Sequence, residues 1–179
     1  MTILVRTTAP AEAPITLSEA KAQIRVDHNE EDLLIQHYID AATSLLDGPA
    51  GLLGRCLVTQ SWQMSIDAVT GPILLPFPDS TIDDAVYTDA AGGTLVYDLA
   101  LQDQRLLLRP SSGHGRPVAI TFTAGFGSAA DVPAAIRQAM LLLIAHWYDN
   151  REAVTMGAAG YSMPMAVDAL LAPYRRVRL

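Results

Sequence analysis

The hydrophobic period of this chain changes along its length, and those changes bound what it can fold into. Leu34, Ile35, Tyr38, Ala41, Ala42, Leu45 and Leu46 recur at spacings of three and four, the signature of a helix with one apolar face. From residue 58 the period drops to two. Val58, Gln60, Trp62, Met64 and Ile66 alternate with Thr59, Ser61, Gln63 and Ser65, which sets the two groups on opposite faces of a strand. Turn-rich steps follow at Gly71-Pro72, Pro76-Phe77-Pro78-Asp79, Ala91-Gly92-Gly93 and 111–115. Short strands fit between them at about 73–75, 82–88, 94–100, 105–109 and 117–124. Helical patterning returns at about 133–151 and 164–173, where Pro173 ends the last helix. The expected fold is α+β: a mainly helical core of four helices, with an antiparallel β insertion at about 57–124 between helices 2 and 3.

The start of the first helix is spelled out by Thr16-Leu17-Ser18-Glu19. A threonine N-cap with a glutamate three residues on satisfies two orphan backbone donors reciprocally. Asp27 or Asn29 is the expected cap of the second helix, whose first turn carries Glu30, Glu31 and Asp32 against the positive end of the helix dipole. The two helices occupy about 16–47, and Gly48-Pro49 stops the second. Residues 1–14 contain Pro-flanked alanines and little periodicity, and are expected to form a flexible arm ahead of a single domain over 15–179.

Gly125-Phe126-Gly127-Ser128-Ala129-Ala130 has the spacing of a dinucleotide-binding turn. Its context argues otherwise. Val118, Ile120 and Phe122 alternate with Thr121 and Thr123, whereas the first strand of a dinucleotide fold is buried on both faces and reads as a continuous apolar run. Pro133 suits the start of the following helix, with Asp131 just before it, so the helix opens about eight residues after Gly125 and leaves a phosphate without a helix N-terminus. The acid required about twenty residues on would fall near Ala145, inside a helix. The glycines are read as a turn, and no cofactor is expected.

Other chemistry is sparse. His28, His37, His114 and His146 include no metal-ligand spacing, and Cys56 stands alone. Acidic neighbours at Asp83-Asp84 and at 27–32 read as strand-start and helix-capping groups. The formal net charge is −7, which argues against sequence-specific nucleic-acid binding, since phosphate contacts need clustered Lys and Arg. The exception is the basic tail at 174–179, with Arg175, Arg176 and Arg178. The longest uncharged apolar run, Ala139 to Ala145, is too short to span a membrane, and the N-terminal stretch lacks a signal-peptide pattern, so the protein is expected in the cytoplasm when made. Half of the chain is hydrophobic and the mean hydropathy is +0.23, so surplus apolar surface is expected in subunit contacts. The 133–151 helix focuses that expectation. Ile136, Met140, Leu143, Ile144 and Trp147 make one stripe, and Leu141, Leu142, Ala145 and Tyr148 add apolar surface on other faces. Leu142, His146 and Tyr148 are the candidate contacts to a neighbouring subunit, with His146 held by Asp149 or Asn150.

The stretches "ITLSEAKAQIRVDHNEEDLLIQHYIDAATSLLDG", "GRCLVTQSW", "PVAITFTAGFGSAADVPAAIRQAMLLLIAHWYDNREAV" and "ALLAPYRRVRL" together resemble the head–tail connector (adaptor) family of tailed phages and gene transfer agents. The resemblance implies a non-enzymatic virion protein. It implies a ring, commonly twelvefold, between the portal protein and a stopper or tail-side connector, with DNA passing through the lumen without sequence-specific binding and with no membrane partner. It places the portal-docking element at 165–179, with Met165, Leu170, Tyr174, Arg175, Arg176 and Arg178 as the candidate contacts. Two other classes fit the residues: a small enzyme using the β-region around His114 and Asp103, or an assembly factor that leaves the finished particle.

Overall fold

A computed structural model describes residues 1–87, 92–151 and 165–176. The chain divides into two compact units, one holding residues 1–11 and 58–126, the other residues 12–57 and the chain from 127 onward. Four α-helices and two antiparallel sheets among the described residues make the fold α+β, as expected.

The first unit is all β. Its larger sheet has the strand order β1-β2-β7-β4, with β1 at Thr2–Thr8, β2 at Gln60–Ile66, β7 at Val118–Ala124 and β4 at Ser80–Tyr87. The smaller sheet has the order β3-β6-β5, from Ile73–Pro78, Arg105–Pro110 and Tyr97–Gln102. The alternation seen in the sequence sorts the faces: Gln60, Trp62 and Met64 are buried, as are Val118, Ile120, Phe122 and Ala124. Trp62 stands opposite Phe122, and Met64 opposite Ile120. Phe77 of β3 closes this core from the other sheet, its ring centroid 5.1 Å from Trp62 and 6.3 Å from Phe122.

Residues 2–8 overturn the expected N-terminal arm. They form β1, paired with β2 from Thr2↔Ile66 to Arg6↔Trp62. Ile3, Val5 and the threonines are strand formers, but the nearby Ala-Pro steps hid them and their partner lies far along the chain. The helical unit begins at Glu12 and is interrupted in sequence by the β unit. The fifth strand also starts later than expected. Thr94 bridges to Val86 and the Leu95 N–H donates to the Ala85 carbonyl at 3.0 Å, so these residues extend β4's pairing before the chain turns into β5. Asp103 and Gln104, with φ of 50° and 61°, make the two-residue turn into β6, the left-handed pair a tight hairpin requires.

In the helical unit the capping box forms as read. The Thr16 hydroxyl accepts from the Glu19 N–H at 3.2 Å, and the Thr16 N–H donates to Glu19 Oε2 at 2.9 Å, opening α1 (Leu17–Ile24). Neither Asp27 nor Asn29 caps α2 (Asp32–Leu46): its N-cap is Glu31 and no side chain closes it. Asn29 is engaged elsewhere, accepting from Lys21 Nζ at 2.8 Å, while Asp32 takes the same ammonium at 2.7 Å. Ile35, Ile39, Ala42 and Leu46 are the buried face of α2. α3 (Ala134–Asp149) buries Ile136, Ala139, Met140, Leu143 and Ile144 against α1, α2 and α4. α4 (Met165–Leu171) buries Val167 and Leu171, and a short 3₁₀ turn containing Pro173 follows.

Phe77 is the test of the β core. Phe77→Ala should cost about 3 kcal/mol or more of unfolding free energy, the usual loss for a fully buried aromatic. Urea denaturation reads this directly, and a loss below about 1 kcal/mol would mean the two sheets do not depend on this contact.

Candidate docking surfaces

The glycine turn is occupied by the protein itself. Gly125 has φ +139°, and a Cβ there would lie 2.7 Å from the backbone of Val58 and Thr59. Gly127, at φ +131°, would set a Cβ 2.5 Å from Asp131 Oδ2. That carboxylate accepts from the Ser128 N–H at 2.8 Å and the Ser128 hydroxyl at 2.7 Å, and the two bonds hold its pKa below the ordinary value. A 3₁₀ turn at Ala129–Asp131 then intervenes before α3. The glycines serve close backbone approach and a local cap, and the region where a pyrophosphate would sit holds an aspartate.

Among the described residues no group of three or more His, Cys, Asp and Glu could hold a metal ion, and no helix is long and apolar enough to cross a membrane. A shallow groove of about 460 Å³ between α1 and the start of α2 is lined by Leu17, Lys21, Val26, Asp27 and Asp32 among others. Of its polar groups, Lys21, Asn29 and Asp32 are engaged with one another by the Lys21 bonds described above.

The candidate subunit contacts on α3 separate into two sites. Leu142 and His146, four residues apart, share a helix face and are half-buried. The Asn150 side-chain amide lies 3.4 Å from His146 Nδ1 and donates to the His146 carbonyl at 2.8 Å. Tyr148 lies off that face, and its hydroxyl donates to Glu31 Oε2. Glu31 also takes the Arg151 guanidinium at 2.7 Å, which in turn lies 4.6 Å from the Tyr148 ring centroid. The tyrosine hydrogen bond, then the arginine, hold the Glu31 carboxyl below its ordinary pKa, and the same bond raises that of Tyr148. At the other end of α3, Arg137 pairs with Glu19 of the capping box. No local pattern announced Glu31, Arg137 or Arg151, because each partner lies more than a hundred residues away.

The candidate portal contacts cluster on α4 and the turn after it. Met165 is 89% exposed. Leu170, Tyr174 and Arg176 are half-buried and Arg175 is exposed. Arg175, just past the 3₁₀ turn, pairs with Asp168 of α4 at 2.5 Å, and the Arg176 stem lies over Gly54. Arg178 falls outside the described residues.

Residues 14–78 match the family described as phage gp6-like head–tail connector protein. No curated protein sequence matches the chain. Among solved structures, a chain in the virion of a native gene transfer agent particle is 26% identical, with a TM-score of 0.76 and coverage of 99% of this chain and 97% of that one. A chain in the neck of an empty gene transfer agent particle, computed with C6 symmetry, gives 24% identity and a TM-score of 0.77. One in the neck of the native particle, computed with C12 symmetry, gives 24% and 0.74. Both share the 99% and 97% coverage.

The Glu31 cluster makes a pH prediction. A carboxyl whose pKa is lower folded than unfolded stabilises the fold above its unfolded pKa, and that contribution disappears as pH falls through the folded value. Glu31→Gln should therefore lower stability at neutral pH and flatten the acid limb of the stability–pH curve, the variant and the unaltered protein converging as pH falls below the ordinary glutamate range. Thermal melts from pH 3 to 7 would read it, and an unchanged acid limb would remove Glu31 from the linkage.

Proposed function

We propose that this chain is a head–tail connector protein, a structural part of the neck of a tailed-phage or gene-transfer-agent particle, and that it works as a ring seated between portal and stopper. The observation that carries the proposal is the combination of the connector-family match at 14–78 with an end-to-end fold match to a chain of a gene transfer agent virion. The likeness to neck chains in particles computed with C6 and C12 symmetry supports a ring, twelvefold in this reading. Portal protein on one side and a tail-side connector on the other are the proposed partners, with assembly in the host cytoplasm.

The work of such a part is mechanical. It needs a lumen that lets duplex DNA pass without holding it, and a net charge of −7 favours sliding over binding because acidic walls repel phosphate. No catalytic step and no cofactor is proposed. The β-strands sit between α2 and α3 in the chain, with β1 added from the N-terminus, and the β insertion is read as the module that decorates a helical connector core.

Portal docking is assigned to 165–179. Met165 and Leu170 offer apolar surface, Tyr174 an aromatic anchor, and Arg175, Arg176 and Arg178 positive charge, the residue types that dominate interface energetics. Docking through Arg175 requires it to exchange Asp168 for a portal carboxylate. On α3, Leu142 and His146 are the proposed contacts to the next subunit, with Tyr148 contributing through its ring while its hydroxyl stays on Glu31.

Reversing both charges, Arg175→Glu with Arg176→Glu, should move the thermal unfolding midpoint by only a few degrees, as for surface changes, yet abolish co-purification with portal-bearing heads. Head binding by the unaltered protein should also weaken as salt rises, since exposed pairs are screened. Normal head binding by the double variant would move the docking surface away from the tail. Absence of the chain from purified particles would refute the connector role itself.

A further inference from the structure

Four strands terminate the two sheets of the β unit: β1 and β4 the larger, β3 and β5 the smaller. An open edge invites another strand, and soluble proteins blunt theirs with proline, bulges, charge or cover. Two of these four are blunted. β3 carries Pro76 and Pro78 and a register break between Leu74 and Pro78. β4 has a bulge between Ile82 and Asp84, the adjacent acids Asp83 and Asp84, and cover at its far end, where the Tyr87 N–H donates to the Gly93 carbonyl at 3.1 Å.

Among the described residues β5 carries neither proline nor register break, and β1 carries no proline and breaks register only past Arg6, before Thr8. β1 runs unbroken from Thr2 to Arg6 and shows Ile3 and Val5 to solvent. β5 pairs without a break along β6 and shows Leu99, 55% exposed, and Leu101, 78% exposed. Leu99 continues a cross-strand row whose other members, Leu108 and Ile73, are buried, so an apolar face reaches the sheet edge unfinished. Each edge carries one side-chain charge, and the signs are opposite: Arg6 on β1, Asp98 on β5, with Asp103 in the turn beyond.

Backbone hydrogen bonds decide how the two edges can meet. The Asp67 N–H donates to the Met1 carbonyl at 3.3 Å, in register with Thr2↔Ile66. The odd residues of β1 therefore bond to β2, while Thr2, Leu4 and Arg6 turn their backbone groups outward. The Ser111 N–H donates to the Val96 carbonyl at 2.8 Å, in register with Tyr97↔Pro110. The even residues of β5 therefore bond to β6, and Tyr97, Leu99 and Leu101 turn outward. An antiparallel pair sets outward residues opposite each other. Leu4 against Leu99 then puts Val5 on Asp98, and Leu4 against Leu101 puts Ile3 on Gln102. A parallel pair sets outward against inward, and one such register matches apolar to apolar on both faces: Ile3 with Leu99, Leu4 with Ala100, Val5 with Leu101. Arg6 then lies opposite Gln102, next to the Asp103 turn.

We propose that β1 of one copy joins β5 of the next in this parallel register, and that the seam between copies closes the ring. The inference rests on the ring reading above. Two different edges on one chain make a head-to-tail contact, the kind that closes into a ring, where a self-complementary patch gives a dimer. The opposite charges select a second copy of this chain, β5 to β1, over like edges meeting.

Cysteines report the register. In particles carrying Val5→Cys with Leu101→Cys, mild oxidation should give a ladder of linked chains on a non-reducing gel, and neither single variant should. Cys56 is buried and common to all of them. Thr2→Cys with Leu101→Cys samples the antiparallel alternative, and a ladder from that pair alone would overturn the proposed register. If particles contain the chain but neither pair links, the seam lies elsewhere and the connector reading stands. If particles lack the chain, connector and seam fall together. Independently, Leu101→Lys should leave the unfolding midpoint of the free chain unchanged and lower its occupancy in particles about tenfold, as a lysine on an edge strand opposes pairing. Normal occupancy would overturn the seam.

Discussion

α3 carries more apolar surface than one helix face can hide, and the helical unit is arranged around covering it. α1, α2 and α4 all pack on it, and its row from Ile136 to Ile144 is the buried spine of that unit. Two arginines fix its ends. Arg137 reaches Glu19 in the first turn of α1, and the Arg151 just beyond α3 reaches Glu31 at the N-cap of α2. Both glutamates already sit where a helix dipole favours negative charge, so each arginine meets a carboxylate held in its ionised form. The pairs are partly exposed, and their contribution lies more in fixing the orientation of α3 than in raw stability.

The β unit solves a different problem. Its core is small and aromatic, and it closes where Phe77 meets Trp62 and Phe122. Outside that contact the sheets run out to edges with unequal protection. A protein that remained alone would gain by blunting all four. The contrast between proline-bearing β3 and leucine-bearing β5, two edges of one sheet, is what separates the proposed seam from ordinary surface.

Features encoded within a few residues were readable from the sequence. The Thr16–Glu19 box, the alternation through Trp62 and Met64, the stop at Pro173 and the structural role of Gly125 and Gly127 all depend on near neighbours. What escaped depends on distant ones. β1 looked like an arm because nothing nearby indicates that Thr2 will stand opposite Ile66. Asn29 looked like a cap because the competing Lys21 sits on the preceding helix. The docking residues were identifiable as types, an aromatic and a run of arginines, but the sequence did not reveal that Arg175 already holds Asp168 or that Tyr148 already holds Glu31. The division into two units was equally hidden, since the Pro-Ala stretch at 9–14 and the glycine turn at 125–127 mark breaks in the chain without revealing which segments on either side pack together.

That interleaving sets an order of events during synthesis. β1 leaves the ribosome first and waits for β2, and α1 and α2 follow it with no α3 to cover them. All the strands of the β unit have emerged by Ala124, ten residues before α3 begins at Ala134. The β unit can therefore close around its aromatic core while the helical unit still lacks its spine, and the reverse order is denied to a chain made from the N-terminus. The apolar face of α2, Ile35 to Leu46, stays without α3 through the whole synthesis of the β unit, and incomplete chains should aggregate through it. A chain broken off after residue 126 would be half of a finished protein: a closed β unit trailing a helical pair with nothing to pack on.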